Sequence, residues 1–272
     1  MTAARQLFLE AIAAPDPAID LAEAALAIAA EEEPDLPLAP YRQQLEQMAE
    51  ELHAQLPVEP YPLRRIQAIN RYLFEQQGFH GNRRAYYDPA NSLLPRVLER
   101  RTGIPITLSL VYLELARRIG LPMVGIGLPG HFLIRPEFDG TGIFVDPFHG
   151  GDLLFEQDCA DRLQALYGEP VSLRPEYLAP VQGRPFLARM LQNLKGCYLQ
   201  SSQLERARRC LDRLLLLFPD DRHSLRERGI LSCHLEYWPE ARQDLEAYLR
   251  RWPDAEDAAS IRHLLERMPL AF

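Results

Sequence analysis

The chain has 272 residues, 47% apolar and 25% charged, enough to bury one large core or two ordinary ones and far from the bias of a disordered or collagen-like protein. Its formal charge of −8 disfavours nucleic acid as a partner, most of all in residues 1–180, where 25 acidic side chains face 15 basic ones. No apolar run nears the ~20 residues of a membrane span and no secretory-type segment follows Met1. Cys159, Cys197, Cys210 and Cys233 show no C-x-x-C spacing, so a cytoplasmic protein with reduced thiols, no membrane contact, no metal and no cofactor is expected.

Residues 1–77 are predicted to form a helical N-terminal region. "ARQLFLEAIAA" and "DLAEAALAIAAEE" repeat apolar residues at three- and four-residue intervals, and Pro15, Pro17, Pro34 and Pro37 separate them. Two further helices follow in "PYRQQLEQMAEELHAQL" and "PLRRIQAINRYLFEQQ". Residues 78–178 read as an α+β core. The stretch 105–119, "PITLSLVYLELARRI", is a helix apolar on nearly every side, and "LPMVGIGLP", "HFLIRPEF" and "GIFVDPF" are short strands with glycine punctuation. Asp139–Gly140 is a hairpin signal, so the helix is expected to pack on an antiparallel sheet.

Residues 179–272 contain a repeat. "LERARRCLDRLLLLFPDD" aligns with "WPEARQDLEAYLRRWPDA", and seven pairs, from Ala207 with Ala241 to Asp220 with Asp254, share one offset of 34 residues. That is the tetratricopeptide period. Leu194, Tyr198, Ala207 and Pro219 take that repeat's expected positions, whereas Ser232 stands where a second tyrosine is usual. Such helical hairpins offer a surface for a protein or peptide, and Tyr198, Arg208 and Arg242 are the candidate contacts there.

A hairpin turning at Asp139–Gly140 pairs residues whose numbers sum to 279. His131 and Asp146 are then diagonal neighbours on one face, about 5–8 Å apart between Cβ atoms. A carboxylate holding an imidazole is the base and orienting half of a catalytic triad. The nucleophile belongs at the start of the 105–119 helix, where the helix terminus stabilises a thiolate. Pro105 occupies that place and has no nucleophilic atom. Ser109, one turn on, and Thr107, about 200° around the helix, are the substitutes that an active enzyme would use.

Residues Gly103–Ile104–Pro105, Arg117, Gly120 and Pro122, then "GHF" and "VDPF", resemble in order and spacing the transglutaminase family, whose cysteine would stand at Pro105. "GFHGNRRAYYDPANSLLPRVLERRTGIPITLSLVYLELARRIGLP", "GLPGHFLIR" and "VDPFHGG" further resemble the SirB-type bacterial proteins, which join a transglutaminase-like domain to tetratricopeptide repeats. The resemblance implies a transglutaminase/papain-like core in which His131 and Asp146 are the remnant of a triad.

The connector "GNRRAYYDPANS" is dense in binding-type side chains. Asn82, Arg83, Tyr86, Tyr87, Asp88 and Asn91 are candidate ligand contacts, or else an ordered loop. His149 could join His131 and Asp146 around a metal, a reading the flexible Gly150–Gly151 neighbourhood disfavours. A non-catalytic scaffold or regulator that binds protein through its repeats is the expected function. The alternative is a cysteine-independent hydrolase or acyltransferase with His131 as base and Ser109 or Thr107 as nucleophile. Partner identity and oligomeric state are not legible.

Overall fold

The computed structural model describes residues 2–56, 61–137, 142–169 and 172–269. It divides into residues 1–190 and 191–272. The first unit opens with helices α1 (Ala3–Ala11), α2 (Leu21–Glu32), α3 (Ala39–His53) and α4 (Pro62–Asn70), the last running on into a π-helical stretch over Arg71–Gln76. Asp20 starts α2 by accepting the backbone N–H groups of Ala22 and Glu23 at 3.0 Å each, a cap worth about 1 kcal/mol. The alanine-rich sequence lets α2 bury almost continuously from Ala24 to Ala30, because small side chains permit close approach on all sides. It packs against α1, α5 (Leu94–Arg100) and α6 (Pro105–Arg118), so the N-terminal helices share a core with the segment that follows them.

Helix α6 is apolar all round because it is covered all round. Helices α2, α3, α4 and α5 contact it, as do strands β3 (Met123–Ile126) and β4 (Leu133–Pro136). Pro105 fixes the first helical φ. The Thr107 hydroxyl accepts the Ile104 N–H at 3.1 Å, satisfying a donor at the helix entrance. Leu108, Leu110, Val111 and Leu115 are each 2% exposed or less, and full burial of each is worth about 1.5–3 kcal/mol.

The main sheet is antiparallel with order β6 (Asp152–Leu154), β5 (Phe144–Asp146), β4, β3, β7 (Pro180–Val181). Ile134 pairs with Val145, the register expected of a turn at Asp139–Gly140; the turn itself lies outside the described residues. Val124, Ile126, Leu133, Phe144 and Leu154 form one face and bury against Cys159 and Leu163 of α7 (Glu156–Tyr167). Alternation leaves Ile134 and Val145 for the opposite face. A second, parallel pair joins β1 (His80–Gly81) to β2 (Thr102–Gly103); strands of two residues have no periodicity for a sequence to show.

The second unit begins within α8 (Gly183–Gln200) and continues through α9 (Leu204–Leu217), α10 (Arg222–His234), α11 (Trp238–Arg251) and α12 (Ala258–Arg267). The 34-residue period becomes helix hairpins, with Ala207 and Ala241 both fully buried. Gly229 lets α10 approach α11: a Cβ there would lie 2.6 Å from a Leu245 methyl. Arg228 bridges both neighbours, bonding Asp244 through two nitrogens at 2.7 Å and Asp212 at 3.0 Å. Gly229→Val is expected to lower unfolding free energy by about 1–3 kcal/mol through overpacking, read as a shift of the urea midpoint; an unchanged midpoint would show that α10 has room to move. No described helix is long and apolar enough to cross a membrane.

Candidate functional site

Asp146 ends β5, and its carboxylate is fully buried. The turn Pro147–His149 folds back on it, so that Oδ1 accepts the N–H groups of Phe148 at 3.1 Å and His149 at 3.3 Å. Oδ2 meets His131 Nε2 at 2.9 Å, His149 Nδ1 at 2.7 Å and an Arg162 guanidinium nitrogen at 2.9 Å. Burial alone would raise the Asp146 carboxyl pKa, but the hydrogen bonds and charge of the two histidines outweigh it and hold the group below its ordinary value. Five donors converge on this carboxylate, which has about four lone-pair directions, so donors are in excess around the one anion.

An ionised carboxylate only accepts, which assigns the protons. His131 donates from Nε2. His149 donates from Nδ1. The three side chains His131, Asp146 and His149 have ligand atoms within 4.8 Å of one another, a two-histidine, one-carboxylate set that could hold a divalent ion. Arg162 already brings a positive charge to the same oxygen, so a cation would have to displace it.

Two other elements fix this cluster. The Asn70 amide, at the end of α4, donates to the Gly151 carbonyl at 2.8 Å and accepts the Tyr112 hydroxyl at 3.0 Å; Gly151 N–H returns to the Asp146 carbonyl at 2.9 Å. Strand β1 lies against Phe148, where a Cβ on Gly81 would come within 2.6 Å of the ring. Gly81 pairs with Gly103, two residues before Pro105, and α6 packs on the 147–149 turn. The helix start is thereby brought to the cluster.

The model of the transglutaminase-like superfamily matches residues 39–192, and that of the tetratricopeptide repeat matches residues 194–266. A UPF0162 protein of Xylella fastidiosa (strain 9a5c) is 37% identical over 92% of this chain and 91% of its own length. This chain belongs to the transglutaminase-like UPF0162 family. A Vibrio cholerae UPF0162 protein is 30% identical over 87% of this chain and 88% of its own. Human F-box only protein 21 is 34% identical over 64% of this chain, a segment that makes up 29% of the human protein. No solved structure matches.

In this UPF0162 chain the expected nucleophile position, Pro105, is buried at the first turn of α6. Thr107 is buried and its hydroxyl donates to the Asn91 carbonyl at 2.7 Å, so it is a structural cap. Ser109 is buried with no hydrogen-bond partner for its hydroxyl, His131 included. Cys159 lies within the sheet–α7 core, and desolvation pushes its thiol up to about 11.

The connector divides. Asn91 is fully buried and donates to the carbonyls of Ala85 and Tyr86 at 2.7 and 3.2 Å, while the Asn82 amide donates to Asn91 at 3.1 Å. Asp88 caps Ala90 and pairs with Arg100. These three build the loop, the alternative the sequence left open for them. Arg83 and Tyr87 are exposed, and Tyr86 packs edge-on against Phe148.

The repeat candidates make contacts within their own unit. Tyr198 is fully buried beneath the Arg206 guanidinium. Arg208 stacks 5.1 Å over Tyr237, and Arg242 donates to the Leu265 carbonyl at 3.4 Å; both serve contacts inside the repeat unit. Arg162 escaped the sequence reading altogether. Nothing local separates it from the chain's other arginines. A cavity of about 670 Å³ lies along the C-terminal half of α6, lined by Leu110, Leu113, Arg117 and Met123 among others; none of the cluster residues reaches it.

Proposed function

We propose that this protein is a non-catalytic member of its superfamily, acting as a protein-binding scaffold or regulator. The observation that carries this reading is Pro105: the helix terminus and the His131–Asp146 pair are present, and the atom between them that would attack is missing. Local chemistry speaks against the three candidate substitutes. The Thr107 hydroxyl is engaged by backbone, the Ser109 hydroxyl makes no bond to His131, and the Cys159 thiol is held neutral by burial. Tetratricopeptide repeats generally mediate protein–protein contacts, and residues 194–266 match them. Four free cysteines favour a cytoplasmic setting.

The test is covalent labelling. Incubated with a fluorophosphonate, with a thiol-directed epoxide, and with a glutamine peptide plus an amine donor, the purified wild-type chain should yield no adduct and no product above a heat-denatured control. Ser109→Ala should behave as wild type. An adduct on any side chain beside His131, lost in Ser109→Ala or His131→Ala, would overturn the reading in favour of a hydrolase or acyltransferase.

A further inference from the structure

The cavity of about 670 Å³ beside the C-terminal half of α6 is built by three stretches distant in sequence, within residues 16–21, 110–125 and 181–183. Its volume is that of a site for a small molecule or a short peptide. The walls are pinned to one another. A Cβ on Gly183 would come within 2.5 Å of the Asp16 carbonyl oxygen, and the Arg184 guanidinium bonds both the Asp16 carboxylate and the Ile12 carbonyl. Leu113 is the only apolar residue of α6 that is not buried, and it lines this cavity.

The sheet is unfinished at the same place. Glu137 N–H donates to the Pro122 carbonyl at 2.9 Å, so Pro122 directs its carbonyl toward β4. Backbone groups alternate sides along a strand. Those of Val124 and Ile126 therefore turn to β4, and those of Met123 and Gly125 turn the other way. Gly125 meets Val181 there, but β7 ends at Val181, and Gly183, at a φ of 51°, turns the chain into α8. The Met123 N–H and C=O point to a strand position that β7 does not fill, and Met123 and Val181 both line the cavity. Four carboxylates, Asp16, Asp20, Glu114 and Glu137, share the lining with one arginine, Arg117. With Arg65, Arg118 and Arg184, which bond Gly120, Glu114 and Asp16 from outside the lining, the charges balance. Asp16, Asp20 and Glu114 each have an arginine partner. Glu137 is exposed and has none among the described residues.

We propose that this cavity receives a short extended peptide segment that carries a lysine or arginine. Its main chain pairs with Met123 and continues the sheet past the end of β7, an apolar side chain packs on Leu110 and Leu113, and the cation meets Glu137. In strand addition the main-chain bonds supply affinity and the side-chain contacts supply selectivity. The open N–H and C=O of Met123 select an extended chain over a lone amine, and the unpaired Glu137 selects a basic one by charge complementarity. The site lies wholly within residues 1–190. It rests neither on what the repeats bind nor on the missing nucleophile.

Fluorescence anisotropy on the full-length protein tests it with fluorescein-labelled Lys-Thr-Leu-Thr-Arg-Thr, whose lysine, leucine and arginine share one face when extended. One control peptide has glutamate for the lysine and the arginine. The other carries N-methyl groups on the leucine amide and both flanking threonine amides. Each control should bind at least about tenfold more weakly than the parent peptide. Glu137→Lys and Leu113→Glu, at positions that are not buried, should each weaken the parent peptide at least about tenfold. Glu50→Lys, the same charge change on the exposed side of α3, should alter nothing. Amide hydrogen exchange at Met123 should slow at least about tenfold with the peptide bound. Absence of binding, a control peptide that binds equally, indifference to Glu137→Lys or Leu113→Glu, weakening by Glu50→Lys, or unchanged exchange at Met123 would each overturn the proposal. Displacement of the peptide by an equal concentration of butylamine would assign the cavity to small amines and overturn it as well.

Discussion

Pro105→Cys is expected to create a reactive thiol. The new side chain would sit at the first turn of a 14-residue helix, where the helix terminus stabilises an anion. His131 is held by Asp146 through Nε2 at 2.9 Å. Thiols in such surroundings fall from about 8.5 to between about 3.5 and 7.5. Alkylation by iodoacetamide at pH 6 should therefore run about 10–100 times faster than for an ordinary exposed cysteine. Wild type should label far more slowly over the same interval, because Cys159, Cys197 and Cys210 are buried and desolvation raises the thiol of the half-buried Cys233. Adding His131→Ala to the Pro105→Cys variant should remove most of the gain. A small alkylator is needed, since the position is buried. If the introduced thiol reacts no faster than a free one, or is indifferent to His131, the cluster is not the remnant of a triad, and its assembly has another cause. The cost to the fold is small: losing a well-placed proline is worth about 0.4–1 kcal/mol.

Asp146→Ala should cost much more, about 3–5 kcal/mol of unfolding free energy, because it strands buried donors around a vanished anion. His131, His149, Arg162 and two backbone N–H groups lose their acceptor at once. The loss carries a pH signature. The folded-state pKa of Asp146 is depressed, whereas the unfolded value is about 3.9. Its ionised form therefore stabilises the fold fully above about pH 4, and that stabilisation disappears as pH falls through the folded-state value. Urea midpoints of wild type and Asp146→Asn should differ most near neutrality and converge below about pH 4. A constant gap across that range, or one under about 1 kcal/mol, would mean the carboxylate is not what holds the 146–151 turn.

The broad fold was legible because it rests on patterns of short range. The α6 stretch is apolar on every side, which already demands a covered helix. Asp139–Gly140 between two apolar runs implies a register, and Ile134 opposite Val145 has it. Seven residue pairs at one offset imply repeated hairpins, and Ala207 and Ala241 are buried alike. Period and spacing survive in one dimension because each depends on neighbours within a few turns of chain.

What gathers around a side chain does not survive in the same way. The histidine–aspartate contact follows from pairing within one hairpin, so sequence spacing could anticipate it. His149 closes on Asp146 through the 147–149 turn, Arg162 arrives from a helix 16 residues beyond Asp146 in the chain, and Asn70 holds the turn from 81 residues before Gly151. Asn91 resembles a ligand contact in one dimension and is fully buried in three. Tyr198 resembles an exposed anchor and lies under Arg206. Sequence by itself determined which residues share a helix face or a strand face, because backbone periodicity fixes that. Only the tertiary structure decided which of those faces converge and which polar groups find their partners inside, because convergence depends on how elements from distant parts of the chain pack, and burial obliges each polar group to bond whatever lies nearest.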